Sequence, residues 1–576
     1  MFFTVKKLYN IIRFSKISNI NKISFLILAN SLFEVLSIGI LIPFIAVILK
    51  PEFFNEIKIY LNSLEYFDFE SLIQMNEKQF ILFLGYFTLI LYIVKYLINI
   101  LYNWYLQESK INYEKIIGLK ILENLSITSN LAFLELPMSR ILNDITRRLT
   151  VVSQSIIYLI NFFTEILIFT ILYISLVYKF KFNAILVLVI VSLLFGFIYY
   201  FYKNIVKKWS FERGIGGEDR NKNLIDYLAG IREVIVYSAQ KYFLDEFEKN
   251  NKKFLNPQKK ILFFNSLPKI LIESVFVFSF LTLFLYSVIK NFDTEELILT
   301  TSIIFVLTVR LLPSLYKIIV NLNSYKFCAE AIIELENFIV SIKTDFQKQE
   351  KLIFKKLLKF ENVHFSFKDK EILSNINLEI HKNSRIGLIG STGSGKSTLI
   401  DLIIGLLEPK KGKYFIDDLS FKEINVKGWM QGISYVPQKI FLFNSSIRQN
   451  ITFKADNEQI DLARFNNAVE LSGLSEILKN NTDKEFFQIG ELGKRISGGQ
   501  KQKIGIARAI YKDAPLIIFD ESTNALDEKS EKNIVNNILS LKEKTIIFIT
   551  HNLNNLKNFD GVYEIKNNQL NKRIVK

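Results

Sequence analysis

Hydrophobic positions are unevenly spread along the 576 residues. Up to about residue 340 they gather into six long runs: Ile23–Leu49, Gln79–Leu106, Val151–Val177, Phe182–Tyr202, Ile261–Ile289 and Leu297–Val320. About 20 helical residues cross a bilayer core, and each run reaches that length, so the pattern predicts six membrane-spanning helices. The first run follows a basic lead, is too long for a signal-peptide core and meets no small-residue cleavage site, which predicts a retained span. From about Lys351 the runs shorten, glycines punctuate them, and strand and helix signals alternate. That change predicts an α/β domain on a largely parallel sheet. The expected organisation is a helical transmembrane domain over 1–340, a basic, Gln-rich linker over 341–356, and an α/β domain over 357–576.

Composition supports this division. Half the residues are hydrophobic, 14% are aromatic and 22% are charged, with mean hydropathy +0.24, which excludes a disordered chain and argues against a wholly soluble one. The single cysteine, Cys328, excludes an intrachain disulfide framework and a Cys-based metal site. The net charge of +16 is compatible with nucleic acid, anionic lipid or an acidic ligand, and its distribution decides. Five Lys/Arg precede the first run, and six and thirteen lie in Gln107–Thr150 and Lys203–Lys260. Lys50–Lys78, Tyr178–Lys181 and Lys290–Glu296 hold three, two and one. The asymmetry puts both termini and the two long loops in the cytoplasm of a multi-pass protein of the cytoplasmic membrane. It leaves nucleic-acid binding a poor explanation of the charge.

The loops carry further signals. Leu134–Arg148 and Tyr227–Gln240 are turning points of the long cytoplasmic loops, placed to touch a cytoplasmic partner or simply to close helical hairpins. In the outside loop, Phe54, Ile57, Leu61 and Leu64 fall on one helical face. Such a stripe either lies at the membrane surface or caps the bundle.

The sharpest chemistry is in the α/β domain. Gly390-Ser391-Thr392-Gly393-Ser394-Gly395-Lys396-Ser397-Thr398 lies between an apolar strand and a helix, the setting a phosphate-binding loop requires. Its glycines let backbone N–H groups close around phosphate oxygens. Lys396 offers a point charge to the β- and γ-phosphates of ATP, and the Ser397 hydroxyl a ligand to Mg2+. Downstream, the apolar run Leu516–Phe519 ends in Asp520-Glu521. Asp520 is placed to hold the metal, and Glu521 to orient or deprotonate the attacking water.

Several motifs together resemble the ATP-binding cassette family. Ile496-Ser497-Gly498-Gly499-Gln500 is similar to its signature sequence, with Ile for the usual Leu. Gln438 resembles its Q-loop glutamine, which also contacts the metal. Asn524-Ala525-Leu526-Asp527 resembles its D-loop, and His551 its switch histidine. Phe367 matches the aromatic that stacks on adenine, and Gly490-Glu491-Leu492-Gly493 is similar to the X-loop of exporters. The resemblance implies a two-fold sandwich in which one subunit presents Lys396 and Asp520, and the partner presents Ser497 and Gly499 across the γ-phosphate. A homodimer with two active sites is the simplest form. Six spans ahead of one such domain resemble the half-transporter exporters, which implies ATP hydrolysis coupled to alternating access, with the cytoplasmic loops as coupling elements.

For the cargo, Lys95, Arg310 and Lys317 lie within the spans, as do Glu34, Glu165 and Glu273. Either the cations line a cavity for an anionic head group such as pyrophosphate, or the six charges pair internally. Ser31–Ile45, the external amphipathic segment and Arg310-Leu311-Leu312-Pro313-Ser314 with Lys317 resemble the flippases of lipid-linked oligosaccharides in bacterial N-glycosylation. There the cations face the cavity; Lys95 and Lys317 replace arginines. The implied cargo is a polyprenyl-linked glycan or related glycolipid. Export of lipid A-type lipids, peptides or drugs, and a membrane-anchored non-transport ATPase, are the alternatives.

Overall fold

The computed structural model of the chain describes residues 2–15, 20–49, 52–62, 75–127, 137–289, 311, 313–342, 352, 354–367, 370–455, 457–480 and 483–574. Two compact units divide it, one built from Met1–Ser126 and Glu135–Lys343, the other holding Thr344–Lys576.

The first unit is helical: α1 (Phe2–Ser15), α2 (Ile20–Leu49), α3 (Glu52–Asn62), α4 (Glu77–Ile127) and α5 (Met138–Asn143). A π-helical turn, Asp144–Arg148, leads from α5 into α6 (Leu149–Ala229), followed by α7 (Ile231–Val236) and α8 (Gln240–Ile289). Helix α9 covers 313–327, and α10 (Ala329–Ile342) ends the unit. Three stretches among the described residues are long and apolar enough to span a membrane, Lys22–Ile45, Glu77–Leu125 and Met138–Ile174. Most of the sixth predicted run, with Arg310, lies outside the described residues.

Two features of this unit depart from the sequence pattern. The basic lead is a helix whose apolar face is buried: Leu8 and Ile11 pack with Ile117 and Ile121 of α4, Val152 of α6, and Ile332 and Leu335 of α10. Its charged face holds on as well, with the Lys7 ammonium on the Glu336 carboxylate. The second departure is at Tyr178–Lys181, where the pattern predicts a short outside connection and the structure continues α6 as helix. No Gly or Pro falls between 175 and 195 to interrupt the backbone. At 1.5 Å per residue, the apolar part of α6 is roughly 75 Å long, against about 30 Å of bilayer core. The predicted outside connection at Tyr178–Lys181 is therefore not a turn in this structure: the third and fourth apolar runs lie on one continuous helix.

The amphipathic segment forms α3. Phe54 is buried with Val47 of α2 and Phe80 of α4, its ring 5.3 Å from that of Phe80. Lys58 crosses above Phe54 and donates to the Met75 carbonyl at 2.9 Å. Phe54 and Ile57 of the stripe thus pack on the bundle, while Ile59 on the opposite face stays exposed; the Leu61 side chain and Leu64 lie outside the described residues.

The second unit carries two sheets. One is antiparallel, in the order β2 (Lys370–His381), β1 (Leu357–Phe367), β4 (Lys411–Ile416), β5 (Leu419–Ser420). The other has six strands, ordered β10 (Gln569–Arg573), β9 (Gly561–Lys566), β3 (Arg385–Gly390), β8 (Thr545–Ile549), β7 (Leu516–Asp520), β6 (Ile433–Val436). All its pairings are parallel except β9 with β10. Alternate residues of β7 and β8 feed two separate cores: Leu516, Ile518, Ile547 and Ile549 enter one, and Ile517, Phe519, Ile546 and Phe548 the other. Burial on both faces explains why these strands read as unbroken apolar runs. The antiparallel sheet is an addition to the predicted parallel one, and β1 and β2 alternate because they bury one face only.

Candidate functional site

The chain leaves the parallel sheet at the C-terminal ends of four strands, and the motif residues sit there. The loop 391–395 follows β3, Gln438 follows β6 by two residues, Glu521 follows β7, and His551 follows β8 by two. In open α/β sheets this edge is where ligands bind.

The loop after β3 is shaped for an anion. Gly393 and Gly395 take φ of 79° and 104°, a region in which a side chain is strained. A Cβ at Gly395 would also meet Leu373 Cδ2 at 2.9 Å. The loop ends at the N-terminus of α11 (Lys396–Ile404), where backbone N–H groups point outward unpaired. Lys396 is buried and folds back to donate to the carbonyls of Gly390 at 2.8 Å and Ser391 at 3.1 Å. The Ser394 hydroxyl is buried inside the loop without a hydrogen-bond partner. A polar atom left in that position fits an added oxygen-rich group such as a phosphate. Ser391, Thr392 and Ser397 are exposed around the loop, and Thr398 is half-buried.

Glu521 is held from several sides. Its carboxylate accepts from Gln438 Nε2 at 2.8 Å and Asn524 Nδ2 at 3.1 Å, meets His551 Nε2 at 2.9 Å and lies 3.7 Å from Lys396 Nζ. Asp520, one residue back and buried, accepts from the Tyr435 hydroxyl at 3.2 Å. Burial pushes the Asp520 carboxyl above its ordinary value, opposed by the Tyr435 hydrogen bond. Asp401 on α11 is pushed up to about 6 by burial and by the charge of Asp520. The arrangement can place a carboxylate, an imidazole and an amide about one bound water next to the phosphate loop. Ser397, Gln438 and Asp520 bring a hydroxyl, an amide and a carboxylate oxygen to the same strand edge, and Mg2+ asks for only one or two protein oxygens when phosphates supply others.

The signature residues lie elsewhere on this unit. Ser497 caps α12 (Gly498–Lys512) by accepting from the Gln500 N–H at 3.3 Å, and the Gln500 side chain accepts from the Ser497 N–H at 2.9 Å. This reciprocal capping box accounts locally for both residue types. Gly498 and Gly499 lie beside Ala525 of the following loop, whose carbonyl is 3.1 Å from where a Cβ on Gly499 would sit. The departure Ile496 remains apolar and packs on the second core. Asp527 caps α13 (Glu528–Leu539) through the Ser530 N–H at 3.0 Å, a bond that holds its carboxyl below the usual aspartate value. Phe367 stands exposed at the end of β1, edge-on to Phe365.

Sequence reasoning missed three contacts. Tyr435 holds Asp520, Asn524 holds Glu521, and the Gln502 carbonyl accepts the Ala525 N–H at 2.9 Å, tying α12 to the loop before α13. A polar residue at a buried helical position is the one signal that marked Gln502.

In the helical unit the intramembrane charges pair. Lys95 Nζ is 3.0 Å from Glu34 Oε1, and Lys317 Nζ is 2.8 Å from Glu165 Oε1. Ser314 donates to the other Glu165 oxygen at 2.7 Å. Glu273 faces Lys269 on the exposed side of α8. Of the two alternatives for Lys95 and Lys317, internal pairing is the one present. Lys317 also lines a cavity of about 320 Å³.

Comparison with known proteins adds to this geometry. The family model described as ABC transporter matches residues 373–524, and that described as ABC transporter transmembrane region matches residues 25–311. The ATP-dependent lipid A-core flippase of Ralstonia nicotianae is 34% identical over 217 residues, covering 37% of each chain. The lactococcin-G-processing and transport ATP-binding protein of Lactococcus lactis is 29% identical over 371 residues, 63% of this chain and 52% of that one. Thus the chain spans between about a third and a half of the length of these curated relatives. Among solved structures, a bacterial Atm1-family ABC exporter with ATP bound superposes with a TM-score of 0.75 at 18% identity, over 95% of this chain and 94% of that one. The last match is a likeness of fold.

Proposed function

The chain belongs to the ATP-binding cassette transporters, with an exporter-type transmembrane region joined to the ATPase domain, and on that premise we propose that two copies form an ATP-driven flippase. Its cargo is a polyprenyl-linked glycan or related glycolipid, moved across the cytoplasmic membrane. The observation that carries the ATPase half of this reading is the Glu521 carboxylate, held by Gln438, Asn524 and His551 beside Lys396.

In this reading Phe367 stacks on adenine, and the loop from Gly390 to Thr398 wraps the phosphates. Ser397, Gln438 and Asp520 would hold Mg2+, which would neutralise phosphate charge. Glu521 takes a proton from the attacking water, and His551 keeps Glu521 oriented toward it. Ser497, Gly498, Gly499 and Gln500 of the partner subunit close over the γ-phosphate, with Asp527 near the shared interface. The short helix α7 supports a role in coupling, since Ile235, Val236 and Tyr237 at this turn are all exposed apolar side chains. ATP binding moves the equilibrium of the bundle only if nucleotide favours one of its states.

The glycolipid assignment rests on the resemblance of Ser31–Ile45 and on α3. Pairing of Lys95 and Lys317 weakens the cationic-cavity argument for pyrophosphate. Export of a lipid A-type lipid is the second reading, favoured by the 34% identity to a lipid A-core flippase. The test is purified full-length protein in proteoliposomes, given a panel of polyprenyl-linked sugars and lipid A. Sugar-linked lipid should raise ATPase activity and change leaflet in an ATP-dependent way. ATP hydrolysis with no lipid reoriented, whatever the lipid, would leave a non-transport ATPase.

A further inference from the structure

The 320 Å³ cavity lies between α2, α4, α6 and α9, and five of its twelve lining residues are asparagines: Asn30, Asn99, Asn103, Asn161 and Asn321. Asparagine is a poor helix former, and polar side chains within apolar helices are costly unless they bond to each other or to a ligand. Mutual bonding accounts for only part of this set. Asn99 donates to Asn30 at 3.3 Å, Asn103 donates to Asn99 at 2.8 Å, and the Tyr102 hydroxyl donates to Asn161 at 3.0 Å. Among the described residues, the amide nitrogens of Asn30 and Asn161 and the whole side-chain amide of Asn321 make no hydrogen bond.

Charge decides what the remaining groups suit. The one cation among the described lining residues, Lys317, is matched by Glu165 at 2.8 Å, so the described lining has no net positive charge to offer a diphosphate. A carboxamide presents both donors and an acceptor. A sugar hydroxyl also does both, so amides bind neutral polyols without any charge to desolvate. Tyr102 and Tyr316 add aromatic surface. The volume falls in the range of small-molecule sites. Asn30 lies in the half of its apolar run that charge asymmetry puts toward the cytoplasm, Asn321 just past that end of the sixth run, and Asn161 near the middle of the third. A head group assembled in the cytoplasm would enter from the cytoplasmic side.

We propose that this asparagine-lined cavity binds an uncharged, hydroxyl-rich sugar portion of the cargo, and that the charged linkage group binds elsewhere. The proposal rests on the glycolipid reading above and deepens it.

The experiment uses full-length protein in nanodiscs and three probes: undecaprenyl pyrophosphate carrying N-acetylglucosamine, bare undecaprenyl pyrophosphate, and a neutral alkyl maltoside. Asn161→Ala should weaken binding of the sugar-bearing lipid by about fivefold or more and change the bare lipid by less than about twofold. Asn321→Ala, which removes an amide with no hydrogen-bond partner among the described residues, should show the same selectivity without disturbing packing. Equal losses for both lipids, or no loss in either variant, overturn the proposal. If neither polyprenyl lipid binds the unmodified protein, the polyprenyl-glycan reading fails by itself. The maltoside then decides the cavity: binding weakened by both substitutions supports it, and binding indifferent to them overturns it.

Discussion

Glu521 takes φ of 48°, a left-handed backbone that costs energy for a residue with a side chain. The surroundings hold it there. Its N–H donates to the Ile549 carbonyl at 3.1 Å, and its carboxylate is gripped by three side chains. Glu521→Gln preserves the size of the group and removes the basic oxygen. Steady-state hydrolysis should fall by about 10²–10⁴-fold, with nucleotide binding retained; measurable turnover at the original rate would refute Glu521 as the base. Asp401 offers a pH test. Its folded value of about 6 lies above the ordinary 3.8, so the folded state binds more protons than the unfolded chain between those values. Stability from this group is therefore lost as pH rises through that window. Asp401→Asn should raise the Tm of the nucleotide-free protein by roughly 2 °C at about pH 7.5, and the gain should shrink toward about pH 4. A gain independent of pH would mean the carboxyl is not the cause.

Helix α3 separates two roles on opposite faces. Phe54→Ala should destabilise the protein by about 3 kcal/mol, because the ring fills a site between Val47 and Phe80. Ile59→Ala should leave thermal stability intact, and on the flippase reading should lower stimulation by long-chain glycolipid. If stimulation is unchanged while Phe54→Ala unfolds the protein, α3 is a cap only. The turn from α5 into α6 holds a different device. Buried Arg148 bonds Asp144, Glu218 and Glu330 together, and Gly214 leaves room for Glu330, whose Cδ lies only 2.3 Å from where a Cβ would be. Arg148→Met would take the shared cation from Asp144 and Glu218 and leave Glu330 with Arg147 at 3.8 Å, a loss of about 3–5 kcal/mol, read by chemical or thermal unfolding. In the sequence Arg147 and Arg148 count only as cytoplasmic charge. Asp144 is four residues before Arg148, but Glu218 and Glu330 come from α6 and α10, and no local pattern reveals those two.

At the scale of the molecule, α4 has an outward face of Leu82, Tyr86, Leu89, Ile93, Tyr96, Leu97, Ile100 and Trp104, all exposed. An apolar surface of that extent belongs in lipid and not in water. The signature residues cap a helix in their own chain and, on the proposed mechanism, complete a site only in a second copy. Light scattering on the Glu521→Gln protein with Mg-ATP should therefore give the mass of two chains. A stable monomer that hydrolyses ATP at the full rate would remove the basis of the mechanism.

Much of this was legible in the sequence because it rests on local rules. Apolar runs of bilayer length mark spans, and a glycine-rich loop between strand and helix marks a phosphate site. A serine three residues before a glutamine marks a helix start. These signals arise from backbone geometry and solvent over a few residues. Tertiary structure alone decided the pairings between distant positions: Lys95 with Glu34, Lys317 with Glu165, Tyr435 with Asp520, and Glu521 with Gln438 and His551. Whether a buried charge binds a ligand or neutralises a neighbour depends on distances of 3 Å or so between chain segments far apart in sequence, and only the packed helices and strands set those distances.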